Sequence, residues 1–369
     1  MLLKTNLRLL LSQLERLAET PYFSPKLDSY IDDLCKVTRE LLARLETTTP
    51  GINQGIARFA ASNIWMLTQF LTGSTTKQIP YEVVYAIERA ASEWTSLRLL
   101  VTTAIVQEAN FYFHGGNEQF FQLAEAELGI KMESRPVQIA LPYIYRHKPL
   151  FCIPLFHELG HYVDSANDIV GISLLLDPIE IGPDLPELPT AKEIHNAPAN
   201  QKSGLITICK AHRQEYFADI FSAAYVGEAA KGFMKEFCPE QKVKPTHPSS
   251  AARYKVLDDF VAGVPNPIVD MFQRALAARQ LPSLHPRFDS IELGSTIGAV
   301  RPFAPKSDRE LFGLFESGWR FLSTQWPGGS GSWEHLAEHQ RIEVANDLVE
   351  KSIRNRMIRE SWDATTNAS

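Results

Sequence analysis

Residues 151–164 carry the pattern that most constrains how this chain can fold. They read FCIPLFHELGHYVD and place His157, Glu158 and His161 in the order H-E-x-x-H. Residues four positions apart lie on one face of a helix, so two imidazoles at this spacing can reach a single metal ion. Glu158 can then take a proton from a water molecule that the metal activates. The pattern predicts a metal-binding helix, and the alternative is a surface helix with two solvated histidines.

The same stretch also has the apolar periodicity of a helix with one packed face. The residues that recur at four-three-four spacing are Cys152, Phe156, Leu159 and Val163. They form a stripe on the side away from the histidines. Pro154 is tolerated in the first turn of a helix, which predicts a helix start near Ile153. We expect Gly160 to leave room above the metal.

The chain is long and apolar enough to form a substantial core. It has 369 residues, of which 44% are hydrophobic, and this indicates one or two folded domains. The patterning predicts helical regions over 1–105 and 266–369 on either side of a core over 106–265. The net charge of -6 gives no electrostatic basis for binding nucleic acid.

Cysteine usage and hydropathy favour a cytoplasmic protein. The cysteines form no C-x-x-C pair and no dense framework; they are Cys35, Cys152, Cys209 and Cys238. Such scattered cysteines fit reduced thiols. The beginning of the chain is leucine-rich but interrupted by charges, unlike a signal peptide. No segment approaches about 18 uninterrupted apolar residues, so we expect no membrane span.

The remaining patterns predict an α+β fold that is predominantly α-helical. Leucine spacing over residues 3–17 and 25–45 predicts a helical hairpin, and residues 81–107 are predicted to form one long helix. Helices near the termini either pack on the chain or offer a surface to a protein partner. Residues 137–141 alternate like a strand. At a sheet edge this strand could hold an extended peptide beside the metal, or it is an ordinary edge strand.

A proline-rich stretch follows the metal-binding helix. Residues 165–203 contain five prolines and are expected to be irregular. A loop of this length within a compact domain is often a lid or a binding segment, which here could cover the metal site. The alternative is a solvated insertion without a role.

Two histidines need a third protein ligand to make a catalytic zinc site. Glu215 lies in the helical stretch AHRQEYFADIFSAAY, with Asp219 four positions later on the same face. A second helix that crosses the first could bring Glu215 to the metal. Asp219 could then accept a hydrogen bond from the free N–H of His157 and fix its tautomer. His212 could replace or supplement Glu215 as a ligand, and the remaining alternative is a solvated acidic face.

Three segments together resemble the gluzincin metallopeptidases. Residues 157–161 resemble their H-E-x-x-H pattern, and residues 215–219 resemble their E-x-x-x-D pattern. Residues 246–253 read THPSSAAR and are similar to the T-H-P segment followed by arginine in peptidase family M48. The resemblance covers residues 137–259 and leaves the helices before and after them unassigned.

The resemblance implies a zincin-like core with a small edge sheet, an active-site helix and a glutamate helix. It implies a zinc endopeptidase that acts on a protein or peptide substrate. One Zn2+ would be held by His157, His161 and Glu215, and Glu158 would be the general base.

The third segment supplies two further candidates. The resemblance implies that His247 or Arg253 lies near the substrate or near the oxyanion that develops during the reaction. Two structural alternatives remain open. His247 with Pro248 could cap the next helix, and Arg253 could pair with Asp219 or with another acid.

Two other functions fit the same motifs. Similarity to the ImmA/IrrE type of metallopeptidase would imply cleavage of a specific regulatory partner, but the T-H-P segment argues against it. A non-catalytic scaffold or binding protein could keep a zinc fold and use its terminal helices as the interaction surface. Glu158 argues against this alternative, because a structural zinc needs no base.

Overall fold

The protein is described by a computed structural model over residues 2–22, 25–47, 52–74, 80–95, 98–108, 110–237, 239–324 and 333–367. Within these ranges the chain is mostly helical and has one three-stranded sheet, so the predicted α+β class is confirmed. The chain divides into two compact units. The first comprises Met1–Val84 with Thr95–Arg146, and the second comprises Tyr85–Trp94 with His147–Ser369. The three regions expected from the patterning stay a prediction.

The first unit begins with the predicted helical hairpin. Its helices are α1 (Leu2–Ala18) and α2 (Pro25–Glu46), and they pack with α3 (Gln54–Thr72). The leucine seam of α1 is buried in this contact because its leucines recur on one face of the helix; the buried members are Leu7, Leu10 and Leu14. The hairpin therefore contributes to the core of the first unit.

The sheet of the first unit consists of β1 (Arg98–Val106), β2 (Tyr112–Gly115) and β3 (Ser134–Pro142). The order is β1-β3-β2, with β1 parallel and β2 antiparallel to β3. Helix α5 (Glu118–Leu128) lies between β2 and β3 in the chain. Residues 137–141 thus lie in the central strand, so the expectation that they form a sheet edge is wrong. Hydrogen bonds to both neighbours leave this strand no open edge for a peptide.

The prediction of one long helix over residues 81–107 is also wrong. Helix α4 (Tyr81–Ser92) ends early, and β1 begins at Arg98. Residues 99–103 of β1 are all buried, so both faces of the strand are covered in this part. A short apolar run that is buried on both faces has no alternation, and its periodicity does not distinguish it from a buried helix.

In the described residues of the second unit, the regular elements are helices. Its helices after α4 are α6 (Pro154–Asn167), α7 (Ile169–Leu176), α8 (Ala191–Asn196), α9 (Ala199–Val226), α10 (Glu228–Phe237), α11 (Ser250–Ala262), α12 (Pro267–Ala278), α13 (Asp308–Thr324) and α14 (Glu338–Asn367). Pro154 is the first residue of α6, as predicted. Helix α9 is followed by the C-cap residue Gly227, whose φ of 55° is a backbone conformation that favours glycine.

The proline-rich stretch 165–203 is helical over more than half of its length, so the expectation of an irregular loop is wrong there; it is confirmed for residues 177–190, which contain four of the five prolines. It contains the end of α6, all of α7 and α8, and the beginning of α9. The irregular part that follows α7 is anchored by Arg213, which is fully buried and donates hydrogen bonds to Ser173 Oγ and to the carbonyl of Asp177. These contacts join residues that are distant in the sequence, so no periodic pattern in the sequence predicts them.

None of the described helices is both long and apolar enough to cross a membrane. Three of the cysteines, Cys35, Cys152 and Cys209, are buried thiols, and Cys238 lies outside the described residues.

Candidate metal centre

Helix α6 presents the two histidines of the H-E-x-x-H pattern to one point. The Nε2 atoms of His157 and His161 lie 3.1 Å apart, and their rings are nearly perpendicular, with an interplanar angle of 89°. On the opposite side of α6, Phe156 is buried and packs on Phe315 and Tyr225, with ring centroids 5.3 and 5.9 Å away. The helix therefore has the packed face and the polar face that its sequence predicts.

Helix α9 crosses α6 and supplies the carboxylate of Glu215. Its Oε2 lies 3.6 Å from His157 Nε2, and its Oε1 lies 3.5 Å from His161 Nε2. One ligand atom from each of the three residues lies within 4.8 Å of the others. The two helices thus bring together the three residues that the sequence predicts as ligands.

This donor set fits a divalent ion such as Zn2+. Tetrahedral zinc with bonds of about 2.0–2.1 Å has ligand atoms about 3.3–3.4 Å apart. The separations of 3.1, 3.5 and 3.6 Å among His157, His161 and Glu215 lie on both sides of that value. Two imidazoles with one carboxylate are also a ligand set of known catalytic zinc sites.

Gly160 explains how closely the two helices cross. A Cβ atom at this position would lie 2.8 Å from Ala218 Cα and 3.1 Å from Phe221 Cβ, both on α9. Distances this short are not tolerated between packed atoms, so a side chain would push the helices apart. The expectation that Gly160 leaves room above the metal is wrong: the glycine faces α9 and allows Glu215 to reach the histidines.

Asp219 makes the contact that its position in the sequence predicts. Its Oδ1 lies 3.0 Å from Nδ1 of His157. Because the carboxylate can only accept, the Nδ1–H of His157 donates, and in the neutral ring the lone pair of Nε2 is left for a metal ion. Residues 215–226 of α9 are all buried, so the Asp219 carboxylate needs charged or hydrogen-bonding partners there.

Arg253 of α11 is the main partner of that carboxylate. Its Nε and Nη2 atoms donate to the two oxygens of Asp219, each at 2.7 Å, and Nη2 also lies 3.5 Å from Glu215 Oε2. The pairing with Asp219, one of the alternatives left open by the sequence, is therefore present. A direct role of Arg253 at a substrate stays a prediction.

His247 lies beside the carboxylate of Glu215. Its Nε2 is 3.4 Å from Glu215 Oε1, its Nδ1 is 2.8 Å from Thr246 Oγ1, and its side chain is partly exposed. The N-cap of α11 is Ser249, whose side chain accepts a hydrogen bond from the backbone N–H of Ala252. The alternative in which His247 caps this helix is therefore wrong, since the adjacent serine already does so.

Burial and charge shift the ionisation of these groups. Burial opposes protonation of His157, but the hydrogen bond to Asp219 and the neighbouring carboxylates outweigh it and raise the pKa of His157. Burial, with the adjacent His157, lowers the pKa of His161 to about 3. Burial raises the pKa of Glu158. Burial also opposes ionisation of Asp219, yet Arg253 holds the pKa of that carboxyl well below its usual value.

No model of a known family, no curated protein and no solved structure matches this chain. The likeness to peptidase family M48 therefore rests on three short segments and stays a resemblance, and a zincin-like core stays a prediction. The geometry of His157, His161 and Glu215 does not depend on that likeness.

His212 is not part of the candidate metal cluster, which consists of His157, His161 and Glu215 and is called the metal cluster below. Its side chain is fully buried, and Nε2 lies 2.7 Å from the carbonyl oxygen of Lys244. The alternative in which His212 replaces or supplements Glu215 as a ligand is therefore wrong. Its actual partner is 32 positions away in the chain, and no pattern in the sequence indicates the contact.

A cavity of about 150 Å³ adjoins His157 on the side of Asp219 and Arg253, and it was missed by sequence reasoning. The charged or polar groups on its wall are His157, Asp219, Ser222 and Arg253. The apolar residues that line it are Ile153, Pro154, Ala230, Phe233, Met234 and Phe237. Four of these belong to α10, where an amphipathic pattern indicates only a packed face. The cavity can hold one bulky apolar side chain beside His157.

Proposed function

We propose that this protein is a zinc-dependent endopeptidase that hydrolyses peptide bonds of a protein or peptide substrate. The observation that carries the proposal is the convergence of His157, His161 and Glu215 from two helices, with Glu158 next to the first histidine in the chain. A cluster with only a structural role would not need this acid.

His157, His161 and Glu215 would hold one Zn2+ per chain. When bound, the ion would supply Lewis acidity, which polarises a carbonyl group and lowers the pKa of water. Asp219 orients the His157 ring through the Nδ1 hydrogen bond, and such a partner also increases the basicity of a ligand imidazole. The buried Arg253 keeps Asp219 ionised for this purpose.

Glu158 would carry the proton transfers. Its pKa is raised by burial, so its carboxylate binds a proton more readily than an exposed glutamate does. A carboxylate oxygen of such a group can accept a proton from the attacking water, and the group can later deliver this proton to the leaving amine. The same residue thus serves as base in one step and as acid in the next.

His247 would stabilise charge at the substrate. Its Nε2 borders the cluster at Glu215, and its partly exposed ring can donate a hydrogen bond to a carbonyl oxygen that becomes negative during hydrolysis. The cavity beside His157 would bind an apolar side chain of the substrate, because most of the residues that line it are apolar.

The test is cleavage of a peptide library by the wild-type protein and by the Glu158→Gln variant, with zinc content measured for both. We expect one zinc per chain in each, and fragments only with the wild type. A Glu158→Gln protein that retains zinc and cleaves at the wild-type rate would overturn the proposal. So would a zinc-loaded wild type that cleaves no peptide, which would favour a binding protein. Cytoplasmic location and a partner for the terminal helices remain proposals.

A further inference from the structure

The turn that carries His247 is fastened to the helix that carries Glu215. Residues 244–247, hereafter the 244–247 turn, are closed by backbone hydrogen bonds in both directions between Lys244 and His247, at 2.8 and 3.2 Å. Pro245 occupies the second position, where its fixed φ favours a tight turn. The turn is short and closed, so a contact at Lys244 also constrains the backbone of His247.

His212 supplies that contact from α9. Its ring is 0% exposed, and Nε2 lies 2.7 Å from the Lys244 carbonyl oxygen. A carbonyl only accepts, so the ring is the donor through Nε2–H. In the part of the chain that the structure describes, Nδ1 of His212 is buried without a hydrogen-bond partner. Among the described residues the ring therefore has one hydrogen bond, and that bond is to the 244–247 turn.

The residues on either side of the 244–247 turn are held by hydrogen bonds that do not involve His212. Gln241 N–H donates to Ser250 Oγ, and Ser250 N–H donates to the carbonyl of Gln241. The backbone N–H of Ser249 also donates to the carboxylate of Glu187. Loss of the His212 contact should therefore loosen the turn without detaching the segment.

His212 and Glu215 lie three residues apart, about one turn of α9. The helix therefore sets the spacing between the anchor of the turn and the predicted ligand. His247 Nε2 reaches Glu215 Oε1 at 3.4 Å in this arrangement. A single helix thus carries both the carboxylate of the cluster and the group that holds His247 beside it.

We propose that His212 is a positioning residue that keeps His247 at the metal cluster by holding the 244–247 turn. His212 itself is not one of the three candidate ligands and would act through the turn. The catalytic consequence rests on the proposed function, because His247 matters for turnover only if the protein is a peptidase.

The matched variants are His212→Gln and His212→Met, which have similar length and differ in the amide donor. The first readout is hydrogen exchange of segment 241–249, measured by mass spectrometry without reference to activity. We expect faster exchange in His212→Met and near wild-type exchange in His212→Gln. Equal exchange in the two variants, or faster exchange spread over the whole second unit, would overturn the proposal.

The second readout is kinetics on a peptide that the wild type cleaves, with zinc content as a control. We expect His212→Met to retain zinc and to lower kcat about tenfold, the size expected for loss of one hydrogen bond, with KM little changed. His212→Gln should restore most of the rate, and His212→Met should cost nothing further in a His247→Ala background. Additive effects of the two substitutions, or loss of zinc in His212→Met, would overturn the role. If the exchange difference is found but the wild-type protein cleaves no peptide, the role of His212 in holding the turn stands and the proposed peptidase activity is refuted.

Discussion

Nδ1 of His157 and Oδ1 of Asp219 lie 3.0 Å apart where α6 crosses α9. The same carboxylate accepts two hydrogen bonds from Arg253 on α11. One buried aspartate therefore links three helices and orients one predicted ligand. We therefore expect the packing of these helices and the geometry of the candidate ligands to depend on the same carboxylate.

The first prediction concerns Asp219→Asn. The amide keeps the shape of the side chain but loses the charge that supports the His157 imidazole. Changes to such supporting groups lower metal affinity about 10–100-fold, and we expect zinc affinity to fall within that range. Competition with a chromophoric chelator measures it. Wild-type zinc affinity in Asp219→Asn would contradict the supporting role.

The second prediction concerns Arg253→Met in the zinc-free protein. The substitution leaves the buried Asp219 without its charged partner, and breaking a buried pair in this way costs about 3–5 kcal/mol of unfolding free energy. Urea denaturation measures the change. The control is Arg274→Met, which removes a two-point pair with Asp177 from a half-exposed arginine. An ion pair whose arginine is half-exposed is screened by solvent and should contribute less, about 0–1 kcal/mol, so similar losses in the two variants would refute the prediction.

The third prediction concerns Gly160→Ala. The added Cβ would lie 2.8 Å from the backbone of Ala218, and overpacking of this kind costs about 1–3 kcal/mol. The displacement of α9 should also weaken zinc binding through Glu215. Gly204→Ala on α9 is the control, because its Cβ would have no neighbour within 4 Å. Alanine in a helix is favoured over glycine by about 0.5–1 kcal/mol, so this variant should gain stability. The opposite order of stability in thermal unfolding would disprove the close crossing.

The fourth prediction concerns the cavity beside His157. Ala230→Leu would fill part of it, whereas Met234→Ala would enlarge it. We expect the first variant to prefer substrates with small side chains and the second to prefer substrates with larger ones. The expected shift in kcat/KM is about 10-fold between substrates whose side chains differ by one or two methylene groups. A peptide library with one varied position measures the preference. Active variants with an unchanged preference would show that the cavity does not bind the substrate.

The elements that carry the metal cluster could be predicted because their signals are local. Four-residue spacing places His157 and His161 on one helical face, and the same rule places Glu215 with Asp219. The structure contains both helices and the hydrogen bond between His157 and Asp219. In each case the helical repeat alone shows which side chains share one face of the helix.

Other features depend on neighbours that local periodicity does not reveal. The pattern over residues 81–107 predicts a helix in place of β1, because burial on both faces of the strand removes its alternation. Strand β3 is central because two distant segments pair with it. The sequence shows a glycine at position 160, but only the crossing of α6 and α9 shows why it is there.

The sequence by itself determined which residues could form a metal site, because helical repeat and side-chain chemistry are properties of short segments. Only the tertiary structure decided that Glu215, and not His212, lies at the histidines, and that α10 supplies the wall of a cavity beside them. These relations arise when helices pack, since the side chains concerned come from segments separated by tens of residues.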